Sequence, residues 1–511
     1  MQCIATSRTA WVLLFGVLFS PACTCGRLEI GPSNLIAVGR FEAVWGHPWG
    51  DRQQYVLADR VDADGGPPLL TVVRVGETLS CDLRVQHPNW YFSMKSSLLA
   101  FEAIDWNKWR GRLVEVGLPC GPVKPLLEDV YLSLWRDEAE TELYVVANVG
   151  ADGVGRLVRM EWPSGPVHEV RARQSTDYLN FDWPAPRMFY REDGHLVAAT
   201  LAGVEEGRFG QGVTYYASDG KGEVIYEQRP QMFRARIGEG RVEQLSVDAC
   251  HPSFADDWLV HYEPCLNGPR QILVRDRETN VELLRLGANV TRYRLGPKRW
   301  LSWMEGTANA PTGALWVKPE LGEPQLIAEG VLPSWWVLPE ARRVMYAVPT
   351  SDKRARLVSY DLSRREGTVM SEDVDANLPI SESPWSPHWA MVESPRAMAL
   401  ADGGVSTDRV GALVGIHPGT FERVPIADGV PTRGFRFSWQ APAIGYLRNH
   451  DLATDTGHFE VMNMVDRSRI SVDTGVRLFE EVYGPTKGVV YQVDEPGRLG
   501  LYFVKAEVHL F

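Results

Sequence analysis

Apolar positions along the chain fall into short β-branched and aromatic runs, such as LLTVV from Leu69, LYVVA from Leu143, QILV from Gln271 and VMYAV from Val344. Gly, Pro, Asp and Asn separate them, and the three-and-four spacing of an amphipathic helix is not sustained between them. Runs of this length between turn residues read as strands, so the pattern predicts an all-β protein. A strand that short has no way to bury its own faces, which makes the order in which runs recur the next question.

They recur with self-similarity. GRLVEV from Gly111 returns as GRLVRM from Gly155, GALWVK from Gly313, GALVGI from Gly411 and GLYFVK from Gly500. RLVSYD from Arg356 and QILVRD from Gln271 fit the same slot without the glycine. A second strand follows and closes on Gly-Val at Val331, Val430 and Val476; from there the chain runs 15, 16 and 15 residues to Tyr346, Tyr446 and Tyr491. Asp129 and Asp373 replace that glycine before Val130 and Val374. Phe181-x-Trp183-x-Ala185-Pro186 leading to Tyr190 returns as Phe437-x-Trp439-x-Ala441-Pro442 leading to Tyr446. The unit is therefore three short strands with a fourth in the linker. Units that cannot bury their faces alone must stack, and stacking around an axis also protects their edges.

PEARRVMY from Pro339 to Tyr346, with Trp336 before it and the strand LVSYDL from Leu357 after it, resembles the W-S-P-D-G-R-x-I-x-F repeat of TolB-like, WD-repeat-like β-propellers. Trp385-Ser386-Pro387 looks like a second, degenerate copy, and Glu340-Ala341 stand where the repeat has Asp-Gly. The resemblance implies fold and not activity. About nine units begin near residues 70, 111, 155, 212, 271, 313, 356, 411 and 459, and the expectation is a propeller of about eight four-stranded blades, with seven to ten allowed. The C-terminal strand from Gly500 would seal the ring with Leu35 to Trp45 or Gln53 to Asp59. Residues 192–228 fit the period worst, and two smaller propellers in tandem are the architectural alternative.

The N-terminus carries Arg8, the apolar stretch from Ala10 to Phe19, then Ser20, Pro21 and Ala22 before Cys23. This reads as a signal peptide over 1–22. Cys23 directly after Ala22 resembles a bacterial lipobox with Ser20 in the place usually held by Leu, so lipidation at Cys23 is expected, with plain secretion the alternative. Residues 23–34 read as a flexible leader and 35–511 as the propeller. The expected location is periplasmic or anchored to the outer membrane, otherwise extracellular. In an oxidising compartment Cys250 pairs with Cys265 and Cys81 with Cys120, leaving Cys25 over.

With 53 Lys+Arg against 65 Asp+Glu, a net charge of -12 and basic residues scattered among acids, nucleic acid is not an expected partner. Nucleophile elbows, phosphate loops and spaced Cys/His metal motifs are missing from the sequence, so no catalytic, cofactor or metal residues are assigned. Asp373-x-Asp375-x-Asn377 has the oxygen spacing of a calcium loop but lacks its glycine. Glu329, Asp428, Asp129 and Asp373 would share one level of a ring, which turn chemistry explains equally well. His251, His261, His388 and His417 sit at no recognisable spacing. Trp183, Trp336 and Trp439 follow the repeat as packing residues do. Trp45, Trp49, Trp90, Trp106 and Trp109 fall outside it and form the candidate partner surface. The reading is a non-enzymatic envelope module that binds a protein or glycan and needs no cofactor. A glycan- or peptide-processing hydrolase or lyase with a cleft on one face, and a purely structural envelope lipoprotein, are the alternatives.

Overall fold

The computed structural model describes residues 26–510 apart from 48–54, 62–68, 75–79, 84–91, 377–387, 400–404, 483–487 and several interruptions of one to four residues. The signal peptide, Cys23, Cys25, Trp49, Trp90, Trp183, Trp385 and Trp439 lie outside the described residues. Trp45 is on the strand Phe41–His47, and only its backbone is described.

The described residues form 42 strands and no helix. Hydrogen bonding sorts the strands into nine antiparallel sheets, seven of them four-stranded meanders in chain order. These span residues 41–83, 92–131, 134–175, 180–211, 215–246, 250–286 and 290–331. Residues 192–228, which fit the repeat poorly, prove to be parts of two ordinary meanders with short connections.

The other two sheets are seven-stranded. In one, the meander 335–375 touches the strands of 389–431 through the single pair Val374 and Glu393. In the other, the strand Arg469–Val482 pairs with Thr456–Asn463 along its first half and with Gly488–Val493 along its second. One strand there serves two neighbours, so packing units outnumber hydrogen-bonded sheets.

The core lies between sheets. Tyr55, Leu57 and Val72 pack on Leu98, Ala100 and Val114 of the next sheet, and Leu99, Phe101 and Leu113 on Leu134, Val145 and Val158 of the one after. The same relation continues around the chain until Phe41, Val56 and Val73 meet Val482, Val490 and Phe503. The sheets thus form one closed ring, a β-propeller, and its core is a series of inter-blade layers. Gly26–Val38 pairs antiparallel with Gly500–Leu510, from Gly26 opposite Leu510 to Val38 opposite Gly500. Termini far apart in sequence thereby supply the third and fourth strands of the last blade. The segment read as a leader is paired backbone from Gly26 onward, because its partner lies at the other end of the chain, beyond the reach of any local pattern.

The recurring Gly-Val has a local cause. Gly313 faces Val331 while Leu315 faces Ala328, and Gly411 faces Val430 while Leu413 faces Ala427. Two residues on the third strand thus oppose three on the fourth, which is a β-bulge within a strand and not the turn the sequence suggested. Gly330 and Gly429 take φ of 67° and 65° there, where glycine carries no steric penalty. The glycine opening the third strand answers a second constraint: a Cβ on Gly155 would stand 2.6 Å from the Ala147 carbonyl oxygen. The repeat is therefore the signature of a bulged outer pair. Its acids follow: Glu329, Asp428 and Asp129 are exposed on fourth strands at the rim, and no carboxylate ring surrounds the axis through them.

Candidate functional site

First strands lie nearest the axis, and three in succession bring aromatic and basic side chains together. They are Tyr215–Ser218, Cys250–Ala255 and Val290–Leu295. Alternation on Val290–Leu295 sends Tyr293 to one side and Arg292 with Arg294 to the other. Tyr293 turns toward the preceding blade, where its hydroxyl is 3.2 Å from the His251 carbonyl oxygen and 3.3 Å from Ser253 Oγ. Its ring meets Tyr262 edge-on at 5.1 Å, Tyr262 meets His251 at 6.1 Å, and His251 meets Tyr215 at 5.6 Å. The result is a strip of four rings across three blades, with Tyr215 at its exposed end (41% exposed) and Tyr262 buried.

The strip is held from below. Cys250 and Cys265 are joined by a disulfide, Cα atoms 5.6 Å apart, and both are buried. Asp248 Oδ1 accepts from the backbone amides of Cys265 and Leu266, both at 2.9 Å. Glu227 is fully buried; it accepts from the His251 amide, from Thr214 Oγ1 at 3.2 Å and from Arg229 Nε at 3.4 Å. A buried carboxylate with that many donors is a fixed structural brace. It fastens the His251 backbone, which sits at a φ of 53°.

Guanidiniums border the strip. Arg270 lies 5.8 Å from the centre of the Tyr262 ring. Arg294 lies 4.6 Å over the Trp335 ring of the next blade and donates to its carbonyl oxygen at 2.5 Å. Burial pushes the Tyr262 phenol up to about 12, the nearby Tyr293 hydroxyl adding to that while Arg270 and Arg292 pull it back. Burial and, after it, the Arg292 charge hold Arg294 below the usual arginine range. Tyr293 is raised by burial as well. Chemically the strip offers ring faces, a half-buried imidazole, hydroxyls and positive charge.

The residues singled out from sequence are distributed as follows. Of the candidate tryptophans, Trp106 and Trp109 stand together on the hairpin between Ser97–Asp105 and Arg110–Gly117, 49% and 54% exposed and edge-on at 6.1 Å. Asp105 braces that hairpin by accepting from the Asn107 amide at 3.1 Å and pairing with Lys108 at 3.2 Å. The disulfide partners Cys81 and Cys120 are joined, Cα atoms 5.5 Å apart. Of the histidines, only His251 belongs to the strip. His261 is wholly buried with Nε2 3.2 Å from Glu263, and burial depresses its pKa. His388 and His417 meet edge-on at 5.6 Å in another part of the ring. Asp373 pairs with Arg354 and Asp375 lies 3.5 Å from Arg409, so both carboxylates of the calcium-like spacing face arginines. Among the described residues no group of three or more His, Cys, Asp and Glu is placed to hold a metal ion.

Tyr215, Tyr293, Arg292 and Arg294 were missed from sequence. The signal was present in the Arg-Tyr-Arg of VTRYRL: two charges on what the pattern marks as an interior strand.

No protein-family model matches the chain, and no curated relative does. Solved structures resemble it at the level of fold. A tricorn protease aligns with TM-score 0.32 and 12% identity over 91% of this chain and 52% of its own length, so the chain spans about half of that protein. A eukaryotic initiation factor aligns with TM-score 0.40 and 12% identity, covering 70% of this chain and 94% of that one. An oligogalacturonate lyase in complex with manganese aligns with TM-score 0.27 and 12% identity over 95% and 98%. Likeness at this level goes no further than a β-propeller-like fold.

Proposed function

We propose that this protein is a non-enzymatic binding module of the bacterial cell envelope, exported by its signal peptide, lipid-anchored through Cys23, and presenting a propeller face to a protein or glycan partner. One observation carries the binding reading: the ring strip Tyr215, His251, Tyr262 and Tyr293, pinned by the Cys250–Cys265 disulfide and bordered by arginines. Rings on a rigid frame give contact area at low entropic cost, which suits recognition. The TolB-like cast of Pro339 to Tyr346 bears on the fold alone: Arg342 donates its amide to the Pro339 carbonyl at 3.0 Å in the turn between two strands, where that repeat has its Pro-Asp-Gly turn.

Catalysis on a glycan or peptide would call for carboxylates free to exchange protons beside exposed rings. The carboxylate under this strip is instead buried and committed to three donors, which favours binding. The test uses the mature chain from Thr24 with envelope extract of its source organism, beside a Tyr215→Ala/Tyr293→Ala variant. Recovery of one recurrent partner, reduced at least tenfold in the variant, is expected. Equal recovery by both chains would remove the strip from the reading, and turnover of a glycan or peptide would replace binding with catalysis.

A further inference from the structure

The hairpin between Ser97–Asp105 and Arg110–Gly117 turns its two largest side chains out to solvent. Trp106 and Trp109 are 49% and 54% exposed, so neither fills the core. Trp109 also sits on a backbone that does not suit it. Its φ is 50°, a region where a bulky side chain is strained and glycine is not. The Trp109 carbonyl oxygen accepts from the Leu132 amide at 2.9 Å. In other blades the same bond is accepted by Gly153 from Thr176 at 3.0 Å, by Lys353 from Ala376 at 3.1 Å and by Arg409 from Thr432 at 2.9 Å. The fold therefore takes glycine, lysine or arginine at this corner, with Gly153 at a φ of 72°. A tryptophan here strains the backbone without being buried, which marks a side chain kept for contact.

The surroundings of the pair narrow what it would contact. The two rings stand at 87° with centroids 6.1 Å apart, so they form a corner and not a flat apolar patch. Asn107 and Lys108 between them are exposed and polar. The Lys108 amide donates to the Asp105 carbonyl at 3.1 Å, which fixes the turn, and the Lys108 ammonium pairs with the Asp105 carboxylate at 3.2 Å. Residues 105–109 thus bring no net charge to a ligand, and nothing there draws the tip to anionic lipid. Two ring faces among polar neighbours are also far smaller than the roughly 800 Å² per partner of a stable protein interface. They match a neutral sugar ring. The C–H groups on one face of a pyranose are attracted to the negative face of an indole, and Asn107 and Lys108 can meet the hydroxyls at its edge.

We propose that Trp106 and Trp109 form a carbohydrate-stacking site for a neutral oligosaccharide of β-1,4-linked pyranoses, whose rings expose flat C–H faces, with Trp109 as the platform and Trp106 as its side wall. The site lies in a different blade from the ring strip, and neither depends on the other.

Isothermal titration calorimetry of the mature chain with cellohexaose, chitohexaose and β-1,4-mannohexaose is expected to show saturable binding of at least one, in the millimolar range or tighter. Trp109→Ala should weaken it by about tenfold or more, and Trp109→Phe should recover part of the loss. Trp109→Gly separates contact from structure: binding should be lost while the unfolding midpoint stays at or above that of the native chain, because the left-handed corner relaxes. A midpoint that falls together with binding would show a structural tryptophan and overturn the proposal. Trp106→Ala is the second binding variant, and Tyr215→Ala/Tyr293→Ala should bind the sugar as the native chain does. No saturable heat with any of the three sugars, or binding indifferent to both Trp109→Ala and Trp106→Ala, overturns the proposal. Trp109-dependent attachment to phosphatidylcholine vesicles without sugar binding would put a lipid surface in its place, and sugar binding lost only in the double tyrosine variant would move the glycan to the ring strip.

Discussion

The rim and the inner strands of this propeller treat charge in opposite ways. On outer strands arginines face acids across the sheet, as Arg356 does Glu372 at 2.7 Å and Arg156 does Glu169 at 3.4 Å, with solvent reaching both members. On inner strands like charges gather. Arg292 and Arg294 stand together in one blade, and in another Asp59 is pushed up to about 7, first by burial and then by Glu42. Rim pairs keep a twisted sheet soluble and its edge blunted. Near the axis burial, more than pairing, sets the charge state, as it does first for Asp59 and for Arg294.

The frame under the strip should give the largest effect. Cys250→Ser opens a loop of sequence separation 15, and restricting such a loop contributes about 3 kcal/mol in the unfolded chain. Denaturant unfolding should show a loss of that order, and partner capture should fall with it because the His251 backbone loses its brace. A stability loss with capture unchanged would mean that the disulfide supports the blade and not the strip. Gly155→Val comes next. Its Cβ would lie 2.6 Å from the Ala147 carbonyl oxygen and 2.9 Å from Val146 Cγ1, so a cost of about 1–3 kcal/mol is expected. Capture by the folded fraction should stay intact, since the change sits in an outer bulged pair.

That second variant shows what the sequence made legible. Gly111, Gly155, Gly313 and Gly411 announce themselves because backbone crowding leaves no room for a side chain, a constraint written in one residue type at one place in each unit. Closure was legible in part: the strand from Gly500 repeats the unit and needs a partner, but that partner is Gly26–Val38, sharing only Leu35 to Val38 with the expected Leu35 to Trp45, while residues 55–59 of the other expected stretch lie in a strand of the first meander. The strip was not. Tyr215, His251, Tyr262 and Tyr293 come from three blades, each ordinary in its own strand, and only the packing of successive blades makes them neighbours. Trp106 and Trp109 show the converse, since three residues and one hairpin bring them together and their departure from the repeat marked them in advance.

The inner acids give a pH test of intermediate size. A carboxyl raised from 3.8 to about 7 in the folded chain binds its proton more tightly there than when unfolded. Its contribution is therefore complete below about pH 4 and drains away as pH rises through 7. Unfolding midpoints should fall across that window in the native chain, and Asp59→Asn should flatten the profile; a profile unchanged by Asp59→Asn would show that another group sets it. Tyr262 obeys the same sign at higher pH, with stability lost between about 10 and 12, and absorbance at 295 nm should find its phenol titrating late.

The smallest effect belongs to the rim, where its size decides what the comparison means. Arg356→Ala removes a guanidinium 48% exposed from a carboxylate 68% exposed, and pairs of that kind contribute less than about 1 kcal/mol. Stability should scarcely change, and the unpaired Glu372 should be solvated at no further cost. If Arg356→Ala instead destabilised the chain as much as Gly155→Val, rim pairing would be a structural requirement, and the missing partners of Arg292 and Arg294 would demand an explanation within folding itself. A near-neutral result leaves the other account standing. Solvent satisfies rim arginines well enough that pairing there is incidental, whereas Arg294 is held in place by the ring and the carbonyl of Trp335 and not by an acid.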